Sequence, residues 1–284
     1  MYEFVIPLLR VPDRHVEAAT HINTDFDEMF AAWQASRFAD AKWVEDWTAN
    51  GRVWLGVGPV GQKGVFNEHL ARDTAGDKSN SCATLVAESL KLRQDHILGP
   101  LLEAALAQDA EGIGEKNDIF NFIKGWRKLE PRHEAEMFTW TFQALDAWYA
   151  AQVARWNDWN QLPVRERDMR WKAHQDMGGA GVNLLALESA IRQTLTSSDL
   201  ETWQETLYSV RGRIDQCLVE ATEIARAEHV AIMVRSGKGS TRVGLLIRQD
   251  NQFIVDGLRR IGLGFGVILK TDPNGHFQIF GSKG

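Results

Sequence analysis

The chain has 284 residues and a formal net charge of −6, with 44% hydrophobic and 25% charged residues. That length can bury a sizeable core and has room for more than one domain, and the composition is that of an ordinary globular chain. The negative balance argues against a duplex binder held by a uniformly basic face, and no apolar run approaches the roughly 20 residues of a membrane helix.

The opening "YEFVIPLLRV" is apolar but short, and it carries Glu3 where a secretory leader carries basic residues, which makes it a poor signal peptide. The two cysteines, Cys82 and Cys217, fall in helix-like segments, so the expectation is a reducing, cytoplasmic compartment without a disulfide framework. "HVEAAT" (15–20) and "RVWLGVG" (52–58) read as strands. "DEMFAAWQASRF" (27–38), "SCATLVAESLKL" (81–92) and "HILGPLLEAALAQ" (96–108) read as helices. The last places Ile97, Leu98, Leu101, Leu102, Ala105 and Leu106 on one face. Alternation of this kind predicts α/β architecture over residues 1–114, a parallel sheet covered by helices.

Residues 115–228 read as a large helical middle region, with Phe138, Phe142, Leu145 and Tyr149 on one face and Ile214, Leu218 and Ala221 on another. Breaks are expected at "MGGAG" (177–181) and "TSSD" (196–199). The period changes from residue 229 onward. "HVAIMV", "RVGLLI" and "GVILK" read as strands, and "HFQIFG" follows the turn signal "TDPNG", which predicts a small α/β C-terminal domain over 229–284. Most of the eleven Trp lie between Trp33 and Trp171. Trp126, Trp140, Trp148, Trp156, Trp159 and Trp171 could stack on bases, but core and helix packing is the favoured duty. The helical region is also a candidate cap over a cleft, or an oligomer or partner interface.

Two glycine-rich stretches invite nucleotide readings. "GVGPVG" (56–61) fits G-x-G-x-x-G and follows a strand, yet Pro59 and the following "QKGVFNEH" do not open the helix that a dinucleotide site needs. "SGKGST" (236–241) resembles a phosphate loop, but Ile232 stands where a Walker A motif requires glycine.

The window "HINTDFDE" (21–28) places His21, Asp25 and Asp27 between a strand and a helix. An imidazole and two carboxylates at the C-terminal end of a strand suit Mn²⁺, Zn²⁺ or Fe²⁺. Capping of the helix N-terminus by Asp is the competing explanation.

The run H-x-N-x-D-x-D opening a helix resembles the first motif of the DHH phosphoesterase superfamily. "GVFNEHLARD" (64–73) stands where that family carries its Asp-His-His, and "SCATLVAESL" is similar to the small-residue helix that follows. "LLEAALAQDAEG" resembles the later helix ending in a metal-binding Asp, here Asp109. The ordered set spans roughly residues 15–115, and its short start is similar to the branch of metal-dependent hydrolases of the melanocyte-proliferating-gene type. The resemblance implies a DHH-like α/β domain with His21, Asp25, Asp27, Glu68 and Asp109 as metal ligands and Mn²⁺ (or Mg²⁺, Zn²⁺, Fe²⁺) as cofactor. It also implies a phosphoesterase acting on a nucleotide or short oligonucleotide, with His69, if not a ligand, and Asp27 in the chemistry.

The chain departs from the family at Asn67 and Glu68, and Gly56 stands where a second-motif Asp is expected. A centre with one metal, one with two metals and altered ligands, and a degenerate site acting as a nucleotide sensor or scaffold all remain open. From residue 229 on, eight Lys or Arg face three Asp and no Glu. Arg235, Lys238 and Arg242 are the candidate phosphate-binding residues of that segment, across a cleft from the metal. A solvated basic face is the alternative.

Overall fold

The structure is a computed structural model that describes residues 3–11, 14–59, 61–67, 80–111, 118–176, 183–235, 241–262, 266–272 and 275–281. The chain divides into two compact units, Met1–Thr206 and Leu207–Gly284.

The first unit contains a sheet of four strands paired in chain order, β1 (Glu3–Val11), β2 (Arg14–His21), β3 (Arg52–Leu55) and β4 (Val65–Phe66). β2, β3 and β4 are parallel, in the register Thr20↔Leu55 and Leu55↔Phe66. Val16, Ala18, Ala19 and Thr20 of β2 are all buried, as expected of a parallel strand covered on both faces. β1, which the sequence reading passed over, adds an antiparallel edge strand that bulges between Pro7 and Leu9. An edge or bulge is where a strand tolerates proline, which has no N–H for the ladder.

The β2–β3 crossover carries α1 (Phe26–Phe38) and α2 (Ala41–Trp47). Every residue from Phe26 to Ala35 is buried, so α1 is enclosed rather than amphipathic. It packs against α3 (Cys82–Ser89). Three predicted boundaries are corrected. The strand expected over 52–58 ends at Leu55, because Gly56 turns the backbone into the left-handed region at φ 67°. The helix expected over 81–92 ends at Ser89, and Lys91 takes φ 61° beyond it. The helix expected from His96 begins at Gly99 as α4 (Gly99–Glu111), because the Asp95 carboxylate first collects the N–H groups of Ile97 and Leu98 in a turn.

The helical region follows as α5 (Ile119–Leu129), α6 (Glu134–Trp159), α7 (Val164–Asp176), α8 (Leu184–Thr194) and α9 (Ser197–Glu228). The expected "MGGAG" break lies outside the described residues. At "TSSD", Thr196 and Asp199 exchange hydrogen bonds where α9 begins. Trp33, Trp126, Trp148 and Trp203 are fully buried and Trp140 is 4% exposed, which gives these tryptophans core duty. Trp140 and Trp203 stack with centroids 4.5 Å apart, and each indole N–H donates to the other's carbonyl at 3.2 and 3.3 Å. Such an aromatic pair contributes about 0.5–1.5 kcal/mol beyond burial.

The second unit contains the C-terminal part of α9 and a sheet of β5 (Val230–Arg235), β6 (Thr241–Arg248), β7 (Val267–Thr271) and β8 (Phe277–Gly281). β5–β6 and β7–β8 are antiparallel, and β6–β7 is parallel across α10 (Ile254–Arg260). Gly257 presses α10 against α9 so closely that a Cβ there would sit 2.5 Å from the Ala221 carbonyl oxygen. Leu245, Ile247 and Ile268 of the sheet are buried, as are Ile254 and Leu258 of α10. No helix among the described residues is long and apolar enough to cross a membrane.

Candidate functional site

The C-terminal end of β2 delivers His21 directly into the N-terminus of α1. Thr24, fully buried, donates its hydroxyl to the His21 carbonyl at 2.9 Å, and Asn23 takes the left-handed conformation at φ 73°. Asp25 is the N-cap of α1, its carboxylate accepting the Asp27 N–H at 2.9 Å. Glu28 returns the favour, its Oε2 accepting the Asp25 N–H at 2.9 Å. This is the reciprocal capping box, and it satisfies donors that the first helical turn leaves open.

The other Glu28 oxygen lies 3.0 Å from His21 Nε2, while His21 Nδ1 faces the Ile22 carbonyl at 3.0 Å. Glu28 is 4% exposed and lies directly against Gly56 at the end of β3. Glu28 thus fills the space beside Gly56.

Asp27 projects away from its own helix. Its Oδ1 accepts from the Ser81 hydroxyl at 2.7 Å and the Ala83 N–H at 3.2 Å, and its Oδ2 accepts from the Cys82 N–H at 2.6 Å. The carboxyl therefore seals the N-terminus of α3, where the helix dipole favours an anion. Burial pushes the Asp27 carboxyl well above its ordinary value, reinforced by the nearby Asp25, Glu28 and Asp109 carboxylates and opposed by the Ser81 hydroxyl. Asp109 reaches this neighbourhood from α4 and is half-buried.

Of the candidate ligands, His21 stands at the C-terminal edge of the parallel strands against Glu28, and Asp25 and Asp109 lie near enough to the buried Asp27 to raise its proton affinity, but these side chains do not form a group whose ligand atoms come within 4.8 Å of one another among the described residues. In α/β sheets that edge is where ligands bind. Glu28 joins them, a member the sequence reading missed although Asp25-x-x-Glu28 is a legible capping-box signature. Glu68 and His69 lie outside the described residues. The donor set of imidazole and carboxylates suits a transition-metal or Mg²⁺ ion. Burial and three neighbouring carboxylates, Asp25, Glu28 and Asp109, together raise the proton affinity of Asp27, an excess of negative charge that a cation would offset. In their present arrangement, however, His21 and Glu28 bond each other and Asp27 bonds α3.

Among the described residues, ligand atoms of Glu130, His133 and Glu136 all lie within 4.8 Å of one another at the α5–α6 junction. There His133 Nδ1 is 3.0 Å from Glu136, and Glu130 accepts the Trp126 indole N–H at 2.8 Å. The Glu136 hydrogen bond pushes the His133 imidazole up from its ordinary value. This exposed group is separate from the predicted set.

Of the candidate phosphate-binding residues, Arg235 is exposed at the end of β5. Arg242 of β6 pairs with Val234 of β5 and Arg235 with Thr241, a register that sets Arg235 and Arg242 on opposite faces of the sheet, and Lys238 lies outside the described residues. "GVGPVG" opens no helix, as the sequence reading expected. "SGKGST" lies outside the described residues apart from Thr241. Comparison with protein-family models, curated proteins and solved structures found no match for this chain.

Proposed function

We propose that the chain is a metal-dependent phosphoesterase of DHH-like architecture, hydrolysing a nucleotide or short single-stranded oligonucleotide in the cytoplasm. One observation supports this reading: His21 at the end of β2 bonds Glu28, and the Asp25, Glu28 and Asp109 carboxylates act on the buried Asp27 beside it. His21, Asp25, Asp27 and Asp109 would hold the cation, with Glu28 or Glu68 completing the set. When bound, a divalent cation such as Mn²⁺ supplies charge for phosphate and activation of water for phosphorus–oxygen cleavage.

The chain's own residues do the rest. Positive charge beside Asp27 would offset its carboxylate neighbours and lower its raised proton affinity, which couples cation binding to pH. Glu28 orients the His21 ring through Nε2. His69, if not a ligand, donates to charge developing on the phosphate. The two free cysteines accord with a reducing compartment.

The test is Mn²⁺ titration by calorimetry in two buffers of different ionisation enthalpy, alongside hydrolysis of short oligonucleotides and dinucleotides. Binding with proton release, and loss of both binding and hydrolysis in Asp109→Asn with unchanged circular dichroism, supports the reading. Hydrolysis undiminished in both Asp109→Asn and the double variant Asp25→Asn, Asp27→Asn removes it.

One observation favours a second reading, a catalytically silent nucleotide sensor or scaffold on the same architecture. Both Asp27 oxygens are taken by the start of α3, and both Glu28 oxygens are taken by His21 and the Asp25 N–H. On that reading the acidic cluster holds secondary structure together. No Mn²⁺ uptake, with nucleotide binding retained, distinguishes it.

A further inference from the structure

The β5–β8 sheet has one face that its own unit leaves bare. Registered partners in a sheet point the same way, so Val230, Leu246, Leu269 and Ile279 form one row across all four strands. Ile232, Gly244 and Val267 form the next row on one side, with Val234 beyond on β5, and Phe277 stands on the other side of the central row, in register with Thr271 and Arg248. Val230, Phe277 and Ile279 are 55%, 69% and 64% exposed, and no side chain of these rows is buried. The opposite face holds the buried Leu245, Ile247, Ile268 and Lys270. That opposite face is covered over β6 and β7 and open toward β5, where Met233 and its partner Val243 are 70% and 43% exposed, whereas the first face is apolar and unburied across all four strands, as association surfaces are.

Three features specify the occupant. The face is flat in the middle, because Val234 and Ile232 lean over Gly244 to within 2.7 and 3.2 Å of where a Cβ would stand. Its only charged positions, Arg242 and Arg248, stand at opposite ends of β6, so the centre buries no charge. A flat uncharged sheet face is matched by another sheet face packed about 10 Å away, and a second copy supplies one of the same shape. Four strands about 4.8 Å apart and five residues long give a footprint of roughly 300 Å² per copy, on the order of 500 Å² of accessible surface. That is the lower limit for specific association, which fits a reversible dimer and not an obligate one.

We propose that the chain self-associates as a two-fold dimer through the open face of the β5–β8 sheet, with a dissociation constant on the order of 1–100 µM. Sedimentation velocity of the full chain from about 1 to about 200 µM should show a monomer of 32.0 kDa passing to a dimer. Ile279→Glu places a charge in the central row and should weaken the dimer by at least about tenfold, with circular dichroism and melting unchanged because the side chain is exposed. Phe277→Ser, at a still more exposed position, serves should Ile279→Glu fail to fold. A chain that stays monomeric at the highest concentration, or a dimer equally tight in the folded variants, overturns the proposal.

Discussion

Glu28 occupies the space beside Gly56: a Cβ built on that glycine would sit 2.4 Å from Glu28 Oε1. The position cannot take a side chain while Glu28 keeps its bonds to His21 and the Asp25 N–H. Gly56→Asp should therefore unfold the chain more readily and not improve metal binding. The φ of 67° adds its own penalty for any side chain, about 1 kcal/mol. A loss of roughly 2–4 kcal/mol is expected in urea titration. In a double-mutant cycle of Gly56→Ala with Glu28→Ala, the two changes should couple by about 1 kcal/mol or more. Additivity would show that the two sites do not meet.

Asp27 makes stability depend on pH in a defined direction. Its folded value is raised above the ordinary 3.8, so between the two values the native state holds a proton that the unfolded chain has released. The stability linked to that proton is complete below 3.8 and is lost as pH rises through the raised value. Urea midpoints should fall over that interval in the wild type. In Asp27→Asn this component should vanish, while the whole curve drops by about 1–3 kcal/mol because an amide N–H₂ then faces the Cys82 N–H. Wild-type midpoints that rise through the interval more than in Asp27→Asn would contradict the assignment.

Ser81 acts on two helices at once. Its hydroxyl donates to Asp27 and accepts from the Thr84 N–H at the start of α3. Ser81→Ala should cost about 1–3 kcal/mol, more than an N-cap alone, because a buried carboxyl oxygen loses a donor. It should also move the Asp27 titration further up, since Ser81 holds it down. Ser81→Thr, which keeps the hydroxyl, should restore the titration.

What the sequence revealed of this region follows from distance along the chain. Asp25 and Glu28 are three residues apart, and their box could be read locally from Asp-x-x-Glu. Asp27 bonds a helix start 54 residues away at Ser81, and no local pattern announces such a pairing. The same holds for the sheet. β2 is recognisable from its own apolar run, and the β7–β8 hairpin from its turn residues. β1 became a strand only through pairing with β2, with Pro7 arguing against it locally. β4 spans only Val65 and Phe66, too short to display a period. Nothing local to Gly56 announces that Glu28, 28 residues earlier, lies against it.

The Trp140–Trp203 pair ties α6 to the start of α9 by stacking and by two indole hydrogen bonds. Trp203→Phe keeps an aromatic ring and removes one donor, and it should cost about 1–2 kcal/mol. Trp203→Ala also opens a cavity and should cost about 3–5 kcal/mol. Thermal melting of the two variants separates the contributions. Equal losses would mean that the hydrogen bonds matter and the stacking does not.

Cys82 sits at the threshold of α3 with its backbone N–H on Asp27 and its side chain fully buried, whereas Cys217 is partly exposed on α9. A thiol reagent can reach Cys82 only when α3 detaches from that carboxyl, so its labelling rate is a clock for local opening of the acidic cluster. Cys217 provides the internal reference for reagent reactivity. Without any engineered probe, the native chain can thus report how often the region opens. A ligand that binds there should slow Cys82 modification and leave Cys217 unchanged.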